Sequence, residues 1–213
     1  MENILVAGAN GTTGKQIVNL LKSSQYFNPI AMVRKEDQAE QFKNKNVDTV
    51  LADLTEDLTH TIKNVDKVIF AAGSGGKNVV EVDQEGAKRL IAVSKMANIN
   101  RFVMLSSMGA DNPEAAEDLQ DYLKAKQNAD EHLRQSGLNY VIVRPGTLNN
   151  SERKGRINLK EKLDTQGEIS RADVAQTLVR ALHDDAPYNI TFEIIDGDTL
   201  IGEAMHKLQT VVS

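Results

Sequence analysis

The residues of this chain best suited to chemistry fall into two groups, and neither contains a thiol, because the sequence has no Cys. The first group is the run Gly8-Ala9-Asn10-Gly11-Thr12-Thr13-Gly14, with a glycine at every third position. Gly8 lets the chain reverse, Gly11 leaves no Cβ between the backbone and a pyrophosphate, and Gly14 lets a helix lie close on the preceding strand. Free N–H groups at such a helix start would meet phosphate oxygens, where the helix dipole favours negative charge. The second group is Ser106, Ser107, Tyr122 and Lys126. Tyr122 and Lys126 stand four apart, so on a helix a phenol and an ammonium share one face and can approach the same cofactor.

Competing chemistries fit less well. Gly14-Lys15 falls near the place of a nucleotide hydrolase phosphate loop, but Ala9 stands where its first Gly belongs and Gln16 replaces the magnesium-binding Ser or Thr. Ala72-Gly73-Ser74-Gly75-Gly76 nearly imitates a hydrolase nucleophile elbow, yet lacks its first Gly. His60, His132, His183 and His206 share no metal-ligand spacing, so no metal site is expected.

Short β-branched runs alternating with helical patterns must position these residues. Ile4-Ala7 leads into the glycine turn and a helix carrying Ile17, Leu20 and Leu21. Further strands are expected at Pro29–Val33, Val47–Leu51, Val68–Ala72, Phe102–Leu105, Tyr140–Val143 and Thr191–Ile195, with helices over about Val79–Asn98 and around Leu119–Leu133. That order predicts an α/β fold, a doubly wound parallel sheet of the Rossmann type with about seven strands and helices on both faces. The second strand ends at Arg34, where a guanidinium suits the 2'-phosphate of NADP, whereas an acidic residue would suit the 2'-hydroxyl of NAD; Glu36 and Asp37 follow and could pair with it instead. Asp53-Leu54 closes the third strand near an adenine edge, and Asp53 could also cap a helix. Ala71, Ala72 and Gly73 end the fourth strand, where ligands of open α/β sheets bind. Pro145 ends the sixth strand and turns the chain beside the nicotinamide. Arg153, Lys154, Arg156, Lys160 and Lys162 crowd one loop, read either as a solvated face or as a lid for an anionic substrate. Ser170 is expected to cap a helix bearing Val174, Leu178 and Leu182.

The 213 residues suit one domain, 1–213, with small substrate-pocket segments at about 146–169 and 186–213. A net charge of -5 with interspersed signs gives no reason to expect nucleic acid or an anionic membrane as partner. Nine aromatics (Phe 5, Tyr 4) and no Trp argue against base stacking. No stretch approaches eighteen apolar residues and the start lacks a basic signal region, so a cytoplasmic protein is expected.

Over Met1 to about His183 the chain resembles the atypical short-chain dehydrogenase/reductases related to NAD(P)-dependent epimerase/dehydratases. The resemblance rests on Gly8-x-x-Gly11-x-x-Gly14, Asp53-Leu54, Ala71-Ala72-Gly73, Ser106-Ser107, Tyr122-x-x-x-Lys126, Val143-Arg144-Pro145-Gly146 and Ile169-Ser170-Arg171-Ala172-Asp173-Val174-Ala175. It implies hydride transfer between NADP, ahead of NAD, and a small carbonyl or hydroxyl substrate. Tyr122 would be the proton donor or acceptor, Lys126 would hold the nicotinamide ribose and lower the phenol pKa, and Ser107 would position the substrate oxygen. A phenol titrating near 10 is a poor base at neutral pH, and a nearby ammonium favours its phenolate. The sequence departs from the family in carrying Asp83 where Asn is common; a carboxylate cannot donate as an amide does, but it can pair with Lys126 or a water and so alter the proton relay. The short C-terminal part implies a shallow pocket, or one completed by a second subunit as in a homodimer. Two alternatives stand beside the oxidoreductase: an NADP-binding redox sensor without turnover, and a sugar-nucleotide epimerase or dehydratase assisted by NAD(P).

Overall fold

The structure, a computed structural model, describes residues 1–212, with side-chain surroundings through Leu208. In chain order the elements are β1 (Glu2–Ala7), α1 (Thr12–Lys22), β2 (Phe27–Val33), α2 (Glu36–Lys43), β3 (Asp48–Leu51), β4 (Lys67–Phe70), α3 (Gly86–Met96), β5 (Arg101–Leu105), α4 (Gln120–Gln135), β6 (Tyr140–Pro145), β7 (Thr147–Asn149), β8 (Arg156–Lys160), β9 (Glu168–Ser170), α5 (Arg171–Arg180), β10 (Ile190–Asp196), β11 (Thr199–Leu200) and α6 (Ile201–Val212).

The main sheet runs β11-β8-β10-β6-β5-β4-β1-β2-β3, and its seven strands from β10 to β3 are parallel. These seven are the strands expected from the sequence. The sheet nonetheless has nine strands rather than about seven, because β8 and β11 extend it in the antiparallel sense, and β7 pairs with β9 in a separate two-stranded sheet. The added pieces are short or charged, and so carry little of the apolar run that marks a strand buried on both faces. β8 occupies half of the basic segment that reads as a loop. Its backbone completes the edge of β10, with Glu193 opposite Lys160 and Ile195 opposite Asn158.

Alternate residues of each central strand serve opposite layers. Ile4, Val6, Ile69, Val103, Val141 and Val143 pack with Ile17, Val18 and Leu21 of α1 and Val174 and Leu178 of α5. Leu5, Val68, Phe70, Phe102, Met104 and Ile142 pack on the other side with Leu90 and Ile91 of α3 and Ala129 and Leu133 of α4. Each fully buried side chain of this size is worth about 1.5–3 kcal/mol, so the two layers hold α1 and α4 against opposite faces of the sheet. Ser170 caps α5 by accepting the Asp173 N–H, as its position suggests.

The helix expected from Val79 is divided. Val79–Glu85 is wound wide, in π fashion, and the ordinary helix α3 starts only at Gly86. A Cβ on Gly86 would stand 2.8 Å from the Leu54 Cβ, so glycine lets the helix start press on the segment after β3. The wide turn carries Asp83 to the buried side, where it is 1% exposed. Among the described residues no helix is long and apolar enough to cross a membrane.

Candidate functional site

The turn after β1 is built by its glycines. Gly8 takes φ +84°, and a Cβ there would lie 2.6 Å from the Ala72 backbone. A Cβ on Gly14 would collide with the Gly8 carbonyl oxygen, so both residues are held to glycine by the closeness of β1, α1 and the end of β4. The Gly11 N–H donates to Gly8 O at 2.9 Å. Gly11 is the N-cap of α1 and brings no side chain to its first turn, so the N–H groups there are left for a ligand. Thr12, Thr13 and Gly14 form that turn.

Above the turn opens a cleft of about 470 Å³ across the carboxyl ends of β1 to β4. Of the residues singled out in the sequence, Gly8, Asn10, Gly11, Arg34, Asp53, Leu54, Ala71, Ala72 and Gly73 line it together. Asp53 does not cap a helix. Its Oδ1 accepts the Thr55 N–H and hydroxyl, each at 2.9 Å, in a local turn. The Thr55 N–H holds its carboxyl below the usual range against the opposing effect of burial, aided by the Thr55 hydroxyl and the Arg34 charge. Among the described residues Arg34 has no carboxylate within 4 Å, so it is not neutralised by Glu36 or Asp37. Arg34 and Lys77 are the cations of the lining and Asp53 its carboxylate, which leaves the cleft net positive. Ser74, also in the lining, has a buried hydroxyl oxygen without a protein partner. A glycine cradle and two cations suit a phosphate-bearing nucleotide.

Gln38, Lys77 and Asn78 also line the cleft and escaped the sequence reading. Lys77 follows the glycine-rich end of β4, and that placement could have marked it. Gln38 on α2 carries no such mark.

Asp83 stands behind Ser74 of the cleft wall, with Lys126 against it and Tyr122 beside Lys126. Lys126 Nζ lies 5.6 Å from the Tyr122 ring centroid, on one face of α4. The same Nζ is 3.5 Å from Asp83 Oδ1, and Asp83 Oδ2 accepts the Ser74 N–H at 2.9 Å. The expected pairing of Asp83 with Lys126 is thus present, and it ties α4 to the cleft wall. Ser107 donates to its neighbour's carbonyl, Met108 O, at 3.2 Å. Ser106 is turned away into the core, donating to Asp130 Oδ2 at 2.9 Å. Pro145 is the last residue of β6, opposite Ile194, and its carbonyl accepts the Met108 N–H at 3.0 Å. Ser107, Tyr122, Lys126 and Pro145 lie outside the cleft lining.

Asp130 also receives Arg144 Nε and Nη2 at 3.0 and 2.9 Å. Burial pushes the Asp130 carboxyl up, while Arg144 and Ser106 pull it down. The signal for this network is a lone guanidinium, Arg144, closing an apolar strand. The basic segment is not a free lid. Lys154 pairs with Asp196, Lys160 with Asp164, and Lys162 with Asp111 and the buried Glu193.

The chain is 38% identical to the uncharacterized sugar epimerase YhfK of Bacillus subtilis (strain 168), over 96% of this chain and 99% of that one. A solved structure from Bacillus halodurans, provisionally described as an NAD-dependent epimerase/dehydratase, is 34% identical, with a TM-score of 0.93 over 97% of this chain and 100% of the other. The crystal structure of the oxidoreductase ylbE from Lactococcus lactis is 29% identical, with a TM-score of 0.89 over 98% of this chain and 97% of the other. Residues 8–185 match the NAD(P)H-binding family, a span that takes in the glycine turn, the cleft and α4. The chain belongs to that NAD(P)H-binding family, of the atypical short-chain dehydrogenase/reductase type, and a nicotinamide nucleotide is its class of cofactor.

Proposed function

We propose that this protein is an NADP-dependent oxidoreductase that moves a hydride to or from a small carbonyl or hydroxyl substrate. The observation that carries the reading is Lys126, buried 5.6 Å from the Tyr122 ring and joined through Asp83 and Ser74 to the wall of the nucleotide cleft. The first turn of α1, Thr12 to Gly14, would hold the pyrophosphate, Arg34 the 2'-phosphate, and Asp53 and Leu54 the adenosine side. Ala71, Ala72 and Gly73 would form the floor, with Pro145 toward the nicotinamide. The cofactor, when bound, supplies or takes up the hydride. In the reducing direction Tyr122 gives its hydroxyl proton to the carbonyl oxygen and regains one from solvent. Lys126 would favour the resulting phenolate and would hold the cofactor's ribose hydroxyls. Ser107 exchanges its bond to Met108 for one to the substrate oxygen.

One observation favours a binding-only regulator instead: the cleft lining ends before Ser107 and Tyr122. The name of the Bacillus subtilis relative keeps a sugar-nucleotide epimerase in view. Titrating NADPH and NADH into wild type and Arg34→Ala, followed by NADPH oxidation over a carbonyl and quinone panel, separates these readings. Wild type should favour NADPH by about 1.5–3 kcal/mol, with the preference lost in Arg34→Ala. Equal affinities would remove NADP preference, and tight binding without turnover would favour the regulator.

A further inference from the structure

We propose that Gln38 selects the phosphorylated ribose by donating its carboxamide N–H groups to a 2'-phosphate beside Arg34. The inference rests on the NADP reading of the cleft and adds the residue that enforces it. Gln38 lies in the first turn of α2, partly buried, and lines the cleft with Arg34 and Asp53. Its Oε1 accepts the Arg34 backbone N–H at 3.2 Å. A carboxamide has one oxygen and one NH2 group, so an N–H partner commits the oxygen and turns the two remaining donors the other way. Among the described residues those donors have no acceptor.

The surroundings agree with an anion beside them. Arg34 has no carboxylate partner within 4 Å among the described residues. Asp53, the carboxylate of the cleft lining, gives its Oδ1 to the Thr55 N–H and hydroxyl and forms no ion pair within 4 Å with Arg34, although the Arg34 charge acts on it. The N-cap of α2, Lys35, makes no side-chain cap. Glu36 and Asp37 on the same turn are exposed and act against a phosphate there, so the Arg34 guanidinium and the Gln38 donors must outweigh them. An uncharged donor also serves a 2'-phosphate without attracting every other anion, as a second cation there would.

The test uses Gln38→Glu and Gln38→Leu in the full chain, with NADPH and NADH and with the fragments adenosine 2',5'-bisphosphate and adenosine 5'-monophosphate, followed by calorimetry. Gln38→Glu keeps the acceptor for the Arg34 N–H but replaces the donors with a charged oxygen, which repels phosphate and accepts from a 2'-hydroxyl. The NADPH-to-NADH affinity ratio should fall by about 10- to 100-fold, with the same change in the fragment ratio. Gln38→Leu keeps the volume and loses both the donors and the acceptor for the Arg34 N–H, so 2'-phosphorylated ligands should weaken by about 3- to 10-fold while the others hold, and this variant covers the case in which a carboxylate disturbs α2. Equal binding of the two fragments by wild type would overturn the NADP reading and this inference together. A wild-type preference that survives in both variants would overturn the role of Gln38 alone.

Discussion

Lys126 Nζ and Asp83 Oδ1 lie 3.5 Å apart with side chains 4% and 1% exposed, a buried ion pair that joins α4 to the wide turn before α3. The other Asp83 oxygen holds the Ser74 N–H of the cleft wall. Besides this pair, the ammonium makes a long hydrogen bond of 3.4 Å to Leu105 O and lies over the Tyr122 ring. The carboxylate therefore offsets much of the cost of keeping Lys126 charged beneath the cleft, and it links the position of that charge to the loop a cofactor would touch.

Removing one partner of this pair should be costly. Asp83→Ala is expected to lose about 3–5 kcal/mol of stability, because it strands a buried ammonium. Asp83→Asn keeps an acceptor for Ser74 and should lose less. Urea denaturation of the three proteins checks the order, and a wild-type midpoint for Asp83→Ala would show that the pair contributes nothing.

The last two of the three glycines, Gly11 and Gly14, do different work, and substitutions should separate them. Gly14→Ala puts a methyl against Gly8 O and 2.9 Å from the Ala9 Cα, so it should destabilise the fold by about 2 kcal/mol or more. Gly11 is exposed, and its Cβ would meet only Gly8 O, at 3.2 Å. Gly11→Val should stay folded by circular dichroism and lose nicotinamide nucleotide binding, because the side chain fills the pyrophosphate's space. Retained binding would place the nucleotide elsewhere.

Tyr122→Phe keeps the ring beside Lys126 and removes only the hydroxyl. Cofactor affinity should hold while turnover of a carbonyl substrate falls by about 10² to 10⁴. Lys126→Ala should harm both, since the ammonium serves ribose and phenol alike. Steady-state kinetics alongside binding titrations read the difference, and unchanged turnover by Tyr122→Phe in an active preparation would reverse the assignment.

Arg144→Met should be most destabilising at neutral pH and less so in mild acid. Asp130 is held by Arg144 at 2.9 Å, while burial raises its pKa. For an acid with a raised folded pKa the native state binds the extra proton, so stability rises as pH falls through the folded value toward the ordinary 3.8. Without Arg144 that pKa climbs further, and the loss of stability, about 3–5 kcal/mol near pH 7, should shrink on acidification. A loss independent of pH would mean that Asp130 is not the charge left unpaired.

The parallel framework and the glycine turn could be read from the amino-acid order because their causes are local. Runs such as Val68–Phe70 and Val141–Val143 are apolar at successive positions, which only a strand covered on both faces requires. Gly8 and Gly14 mark a reversal that other residues cannot make, and Ser170 caps the helix that follows it by accepting the N–H three residues ahead. Spacing alone likewise put Tyr122 and Lys126 on one face.

Other features depend on partners far along the chain. The segment from Arg156 to Lys160 has a basic, loop-like composition, and it becomes a strand because β10 offers it a row of backbone donors and acceptors. Asp83 in a wide turn, Asp130 between Ser106 and Arg144, and Gln38 under the Arg34 backbone each owe their orientation to a group on another element or turn. A polar side chain leaves no periodic trace of where it points; burial demands a partner, and only the folded chain supplies that partner. Sequence by itself thus determined the seven parallel strands, the glycine cradle and the paired phenol and ammonium. Tertiary structure decided which charges meet, because their pairing depends on contacts that local chain geometry does not specify.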